Sequence, residues 1–181
     1  LRPDATLGVR APQHSRPARY DVTYRVGCQP PAWAMPVLPG LPVEEVPAKV
    51  GDYTLPQPGY WACVNPRVAK HFVTEPMRED MWLSDFSIVS LTLTSSAPEA
   101  YVFGYLEDVA PGGGSTLIAH GRLLGSQRKL GAAPYRNLGL PWTTGLRADA
   151  APLEPGRAAT LMFELSPTSR IIPSGHSLRL S

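Results

Sequence analysis

A serine hydroxyl and an imidazole, two groups that acyl transfer uses, lie five residues apart at Ser115 and His120. A hydrolase nucleophile of the α/β type sits in Gly-x-Ser-x-Gly, where the small residues permit a sharp strand-to-helix turn that exposes the hydroxyl. Ser115 has Gly113 two residues before it but Leu117 two after, and Ser177 has Gly175 before and Arg179 after. A triad is defined by geometry rather than by motif. On one strand, however, residues five apart face opposite sides, so Ser115 and His120 are expected to be split. No catalytic residue is therefore assigned. His14, His71, His120 and His176 share no ligand spacing, and Cys28 and Cys63 lack a Cys-x-x-Cys partner, so no metal site is assigned either. Glu107 and Asp108 could contribute to a calcium site, but adjacent acids at a strand end more often meet solvent or cap a turn. Gly112-Gly113-Gly114 lacks the lysine and the strand-to-helix context of a phosphate loop, and no cofactor is implied. Trp33, Tyr60, Trp61 and Trp142 could form a sugar-stacking platform; burial in a core or an interface is the commoner use of such residues.

The elements that would position these groups are short strands. Tyr20 to Val26 alternates Tyr and Val with Asp, Thr and Arg, which predicts a strand with one buried face. Val89, Leu91 and Leu93 alternate with Ser90, Thr92 and Thr94. Tyr101, Phe103 and Tyr105 alternate with Val102, Gly104 and Leu106; both faces are apolar, which predicts a central strand covered on both sides. Pro111-Gly112-Gly113-Gly114 is a hairpin turn in which glycine supplies positive φ, and Leu117 to Leu124 is the return strand. Thr160, Met162 and Glu164 alternate with Leu161, Phe163 and Leu165, and a break at Pro173-Ser174-Gly175 precedes the last strand. Between them, residues 125–157 read as a loop over one end, with Trp142 as its anchor. Many short strands punctuated by Gly and Pro mean an all-β sandwich or barrel.

Residues 1–18 read as an arm or linker and 19–181 as the sandwich domain. Ten prolines fall between Pro30 and Pro76, so neither a helix nor a central strand runs far there. Trp33, Met35, Tyr60 and Trp61 in this long loop want a surface to bury against. Cys28 and Cys63 flank the loop; a bridge between them and a pair of thiols both stay open.

A chain of 181 residues holds one domain plus an arm. Its net charge of +2 is too small for a dedicated nucleic-acid surface, and the densest basic cluster, Arg122, Arg128 and Lys129, is broken by Leu123, Leu124 and Gly125. No apolar run approaches the roughly 18 residues of a membrane span, so no membrane partner is expected. No secretory leader is visible. The chain opens on Leu1-Arg2-Pro3 and ends inside the alternating run Ser177 to Ser181, which reads as a fragment truncated at its C-terminus. The compartment stays open, with a cytoplasmic location favoured over a secreted one.

Several passages, in order, resemble the C-terminal domain of the cocaine esterase/X-prolyl dipeptidyl peptidase family. Leu106-Glu107-Asp108-Val109 before a Pro-Gly turn is similar to its "L-x-D-V-x-P-x-G" passage. Gly121-Arg122-Leu123-Leu124 with Ser126-Gln127-Arg128-Lys129-Leu130 resembles the next strand and its basic tail. Asn137 to Trp142 and Asp149 to Gly156 resemble a following loop. Leu165 to Ser169 and Gly175-His176-x-Leu178-Arg179-Leu180 resemble the closing pair of strands. Thr74-Glu75-Pro76-Met77-x-x-Asp80 is similar to the opening segment. The resemblance implies a jelly-roll β-sandwich (galactose-binding-like) that packs on the α/β-hydrolase catalytic domain of the same parent protein. The parent would be a serine hydrolase of esters or X-prolyl peptides, and this chain its non-catalytic accessory domain. A loop early in such a domain can approach the active-site pocket; the segment matching it by position is the proline-rich one, which makes Trp33, Met35, Tyr60 and Trp61 the substrate-pocket candidates. Two readings compete: a freestanding carbohydrate-binding module and a homo-oligomerisation domain.

Overall fold

The computed structural model describes residues 7–8, 17–22 and 69–181, together with the backbone of 49–50 and 53–54. Of the expected strand Tyr20–Val26, only residues 20–22 lie within it. They are exposed and form no strand, so the buried face read from the Tyr/Val alternation is not present there. The proline-rich segment contributes two described pieces, β1 (Lys49–Val50) and β2 (Tyr53–Thr54), which pair antiparallel with each other.

The described residues from 69 onward are strand, turn and loop, with no α-helix. They form two layers facing one core. One layer is the antiparallel sheet β3 (Phe72–Val73), β10 (Ser177–Leu180), β6 (Tyr101–Val109) and β7 (Ser115–Leu124), in that spatial order. The other is a long bent ribbon. In it β4 (Met81–Asp85) pairs with β9 (Thr168–Ile172), and β5 (Ile88–Thr94) pairs with β8 (Ala158–Glu164). Between the pairs Asp85↔Thr168 and Ile88↔Glu164, two residues of one strand span three of the other. Asp85 takes a left-handed φ of 77° at this kink, and Leu165 N–H donates to Ser87 O across it.

The alternation read from sequence explains the core. Leu106, Ala119 and Leu123 project inward from β6 and β7, and meet Leu161, Phe163 and Leu165 of the ribbon; Leu83, Val89, Leu93, Val102, Ile118 and Leu178 pack around them. The two layers approach closely at a glycine pair, Gly104 opposite Gly121. A Cβ on Gly121 would lie 2.3 Å from the Glu164 carbonyl oxygen, and one on Gly104 would touch the Phe163 ring. The hairpin turn is held by Ala110 N–H to Gly114 O and Gly113 N–H to Ala110 O, with Gly113 at φ 85° as its turn geometry requires. Residues 125–157 contain two 3-10 turns, Gly125–Gln127 and Arg147–Asp149, and an isolated bridge Leu130↔Thr143. Leu153 is the buried anchor of this loop, while Trp142 is half-buried against Gly131.

β6 is central, as its composition predicts, but its second apolar face is not fully covered. Tyr101 and Phe103 are 50% and 45% exposed. Strand membership follows from hydrogen-bonded neighbours on both edges; burial of a face needs a further layer, and none of the described strands lies there.

Replacing Gly121 by Ala forces a methyl group onto a backbone carbonyl that cannot rotate away. We expect a loss of about 3 kcal/mol in urea unfolding. Gly112→Ala, where a Cβ meets nothing within 4 Å, is expected to stay within about 0.5 kcal/mol of the parent.

Candidate functional site

The acidic pair Glu107-Asp108 is where polar chemistry concentrates. Neighbours on a strand point to opposite faces, so the two carboxylates serve two separate networks.

Glu107 points to the outer face of the four-stranded sheet, away from the ribbon, and is 0% exposed. Its Oε1 accepts from Arg179 Nη2 at 2.7 Å and Ser115 Oγ at 3.2 Å, and its Oε2 accepts from Arg179 Nε at 2.8 Å and Ser181 Oγ at 3.0 Å. β6, β7 and β10 supply these groups because Arg179 and Leu117 are the cross-strand partners of Glu107. Arg179 Nη2 also donates to Ser115 Oγ at 3.0 Å. Burial, the largest influence, opposes ionisation of Glu107. The hydrogen bonds from Arg179, Ser181 and Ser115, with the Arg179 charge, outweigh it and hold the carboxyl below its usual range. His71, just before β3, extends the network through Nδ1, 2.6 Å from Ser181 Oγ. Ser181 has one hydroxyl proton and gives it to Glu107, so His71 Nδ1–H must be the donor to Ser181. Its Nε2 is buried with no hydrogen-bond partner among the described residues.

Asp108 points inward at the end of the core. His176 Nδ1 lies 2.7 Å from Oδ1, and Arg170 Nη2 donates to Oδ2 at 3.3 Å. Asp108 therefore ties β9 and the start of β10 to β6, rather than bonding the N–H groups of the hairpin turn. His176 is thereby hydrogen-bonded into the fold.

Ser115 and His120 do not lie on opposite faces. A β-bulge places Ala119 opposite Leu106 and Leu117 opposite Glu107, leaving Ile118 unpaired. The extra residue restores the parity of the two positions, so both belong to the outer face, with Val109 opposite Ser115 and Tyr105 opposite His120. Ser115 is nevertheless committed to Glu107 and Arg179, and the His120 ring is exposed. The His71–Ser181–Glu107 chain runs through the hydroxyl and not through the imidazole, so it lacks the order of a triad, and among the described residues no group of three or more metal-ligating side chains converges.

The outer face continues past Glu107 as a row of rings. Tyr101 and Phe103 are 4.6 Å apart at their centroids, Phe103 and Tyr105 6.5 Å apart and nearly parallel, and the Arg122 guanidinium lies 6.0 Å from the Tyr101 ring. The pocket candidates Trp33, Met35, Tyr60 and Trp61 lie outside the described residues, as do Cys28 and Cys63. Sequence reasoning named Glu107, Asp108, Ser115 and His176 but missed the partners Arg179, Ser181 and His71. The alternation that places Arg179 beside Glu107 was legible only once β10 was known to neighbour β6.

Residues 48–181 match the family described as the X-Pro dipeptidyl-peptidase C-terminal non-catalytic domain. The chain is 36% identical over 112 residues to a Mycobacterium bovis protein named as a candidate serine esterase, covering 61% of this chain and 18% of that one. It is 29% identical over 134 residues to a candidate Xaa-Pro dipeptidyl-peptidase of Streptomyces avermitilis, covering 60% and 20%. Among solved structures, a CocE/NonD family hydrolase from Staphylococcus aureus superposes with a TM-score of 0.53 at 17% identity, over 61% of this chain and 22% of that one. An α-amino acid ester hydrolase superposes with a TM-score of 0.52 at 20% identity, over 65% and 18%. The matched region thus spans about a fifth of each of these larger proteins.

Arg179→Met leaves the Glu107 carboxylate buried and unpaired, and we expect it to cost about 3–5 kcal/mol in urea unfolding at neutral pH. The pH dependence has a definite sign. Because folded Glu107 titrates below its unfolded value of about 4.3, its contribution is complete at neutral pH and fades as pH falls through the lower folded value. Unfolding series down to about pH 3 should show an acid limb that is shallower in Glu107→Gln.

Proposed function

This chain belongs to the family of X-Pro dipeptidyl-peptidase C-terminal non-catalytic domains, and from that premise we propose that it is the accessory β-sandwich of a serine hydrolase acting on esters or X-prolyl peptides. Its work is structural: it covers one side of the α/β-hydrolase domain of the same polypeptide and helps to shape the substrate pocket. The observation that carries this reading is the use to which the polar groups are put. Every buried acid described is consumed in a contact that ties strands together, as Glu107 and Asp108 are, and Ser115, the serine weighed above as a partner for His120, is hydrogen-bonded into that framework. None is left poised for a substrate.

The outer-face row Tyr101, Phe103 and Tyr105 with Arg122 is the surface proposed to meet the hydrolase domain. Exposed aromatic side chains beside an arginine have the composition of an interface centre. Trp33, Met35, Tyr60 and Trp61 remain the proposed pocket contributors, on the order of the sequence motifs. The carbohydrate-binding reading drew on Trp33, Tyr60, Trp61 and Trp142; of these only Trp142 is described, and its ring lies against Gly131 instead of forming an open platform.

The isolated chain is expected to give no turnover of p-nitrophenyl esters or of an X-Pro-nitroanilide. Hydrolysis that disappears on Ser115→Ala would overturn the accessory-domain reading. Saturable tryptophan quenching by a soluble polysaccharide would favour the carbohydrate module instead.

A further inference from the structure

We propose that His71 is a proton-operated latch: its neutral ring holds β3 against β10, and its protonation releases residues 69–73 and their backbone contact to Leu7 while the sandwich stays folded. The latch is a hydrogen-bond relay with a direction. His71 Nδ1–H donates to Ser181, and Ser181 donates to Glu107. The relay is complete with the ring neutral, so a second ring proton must go to Nε2, which is buried and has no acceptor among the described residues. A buried N–H donor without a partner carries its full desolvation penalty.

Charge opposes the second proton as well. From β10, Arg179 faces the ring alongside Ser181. From β6 come Glu107 and, beside Ser181, Tyr105. From β7 come Ser115 and, one row further, His120; Lys70 precedes the ring in its own segment. Glu107 is already committed to the two-pronged contact with Arg179, so it offers an imidazolium little further compensation. Burial first and the Arg179 charge second lower the pKa of His71, against a smaller opposing pull from Glu107. For a histidine depressed in this way, stability is full above its unfolded value of about 6.5 and is lost as pH falls through the folded value.

The fold confines what acid would release. β3 is an edge strand with two paired positions, Phe72↔Leu180 and Val73↔Arg179. It supplies no member of the buried core. On its other side Leu7 N–H donates to Val73 O at 2.8 Å, so Leu7 is moored to β3. Peeling stops at Thr74. Its N–H donates to Leu178 O and its Oγ1 accepts from Leu178 N–H, both at 2.9 Å, and Met77 N–H donates to His176 O.

Hydrogen exchange on the 181-residue chain tests this, corrected for the intrinsic pH dependence of exchange. Between about pH 7.5 and pH 5, protection of residues 69–73 should fall about tenfold more than that of β6 and β7. In His71→Asn, whose amide can still donate to Ser181 but cannot gain a charge, that extra loss should vanish. An equal loss in the variant, or no extra loss in the parent, overturns the latch. Should the variant not fold, an NMR titration of the parent decides. The His71 ring should titrate below the ordinary histidine range in step with the Phe72 and Val73 amides, and titration at the ordinary value without movement of those amides overturns it.

Discussion

A carboxylate sealed from water and gripped by a guanidinium fixes how the strands of this domain lie. Glu107 can be buried only because Arg179 meets both of its oxygens, and that requires β10 to run beside β6 in one register. A slip of one residue would turn Arg179 to the other face and leave a bare charge inside. Ser115 and Ser181 fill the remaining acceptor positions, which draws β7 and the end of β10 into the same arrangement. The hydrophobic core favours any sandwich with these apolar faces inward; the Glu107–Arg179 pair selects one alignment among them.

Much of the sandwich was legible in the sequence because its interior strands are one-sided. Val89, Leu91 and Leu93 and then Leu161, Phe163 and Leu165 show a period of two that no helix would produce, and both sets face the core as that period suggests, on strands that pair with each other. β4 was not read, since Trp82, 74% exposed, sits between half-buried Met81 and Leu83 and makes the run look apolar on both sides. The bulge at Ile118 was equally hidden: nothing in Thr116-Leu117-Ile118-Ala119 marks which residue is unpaired, and so the side on which Ser115 falls could not be derived. Glu107 and Asp108 looked like one acidic patch. Only the pleat, and partners some seventy residues distant along the chain, separate them into an outer and an inner anchor.

The two anchors also divide the labour of the domain. Asp108, with His176 and Arg170, closes the end of the core and joins one layer to the other. Glu107 organises the opposite face, which runs from a buried polar network to exposed rings at Tyr101 and Phe103. A single nine-residue strand therefore carries the interior of the sandwich on one side and, on the other, the surface proposed to meet a neighbouring domain. That arrangement suits the accessory role proposed above.

The kink in the ribbon has a consequence for how such domains can diverge. One extra residue between Glu164 and Thr168 inverts the inward phase of β9, which is why Ile172 is sealed in the core while its neighbour Ile171 is 42% exposed, and why Arg170 rather than Ser169 reaches Asp108. Lineages could vary the composition of this joint, but a gain or loss of a single codon there would act on β9 as a frameshift in space. Length change should accumulate instead at the open tip of the glycine hairpin, where added residues can loop out into solvent and leave the pairing of β6 with β7 in place.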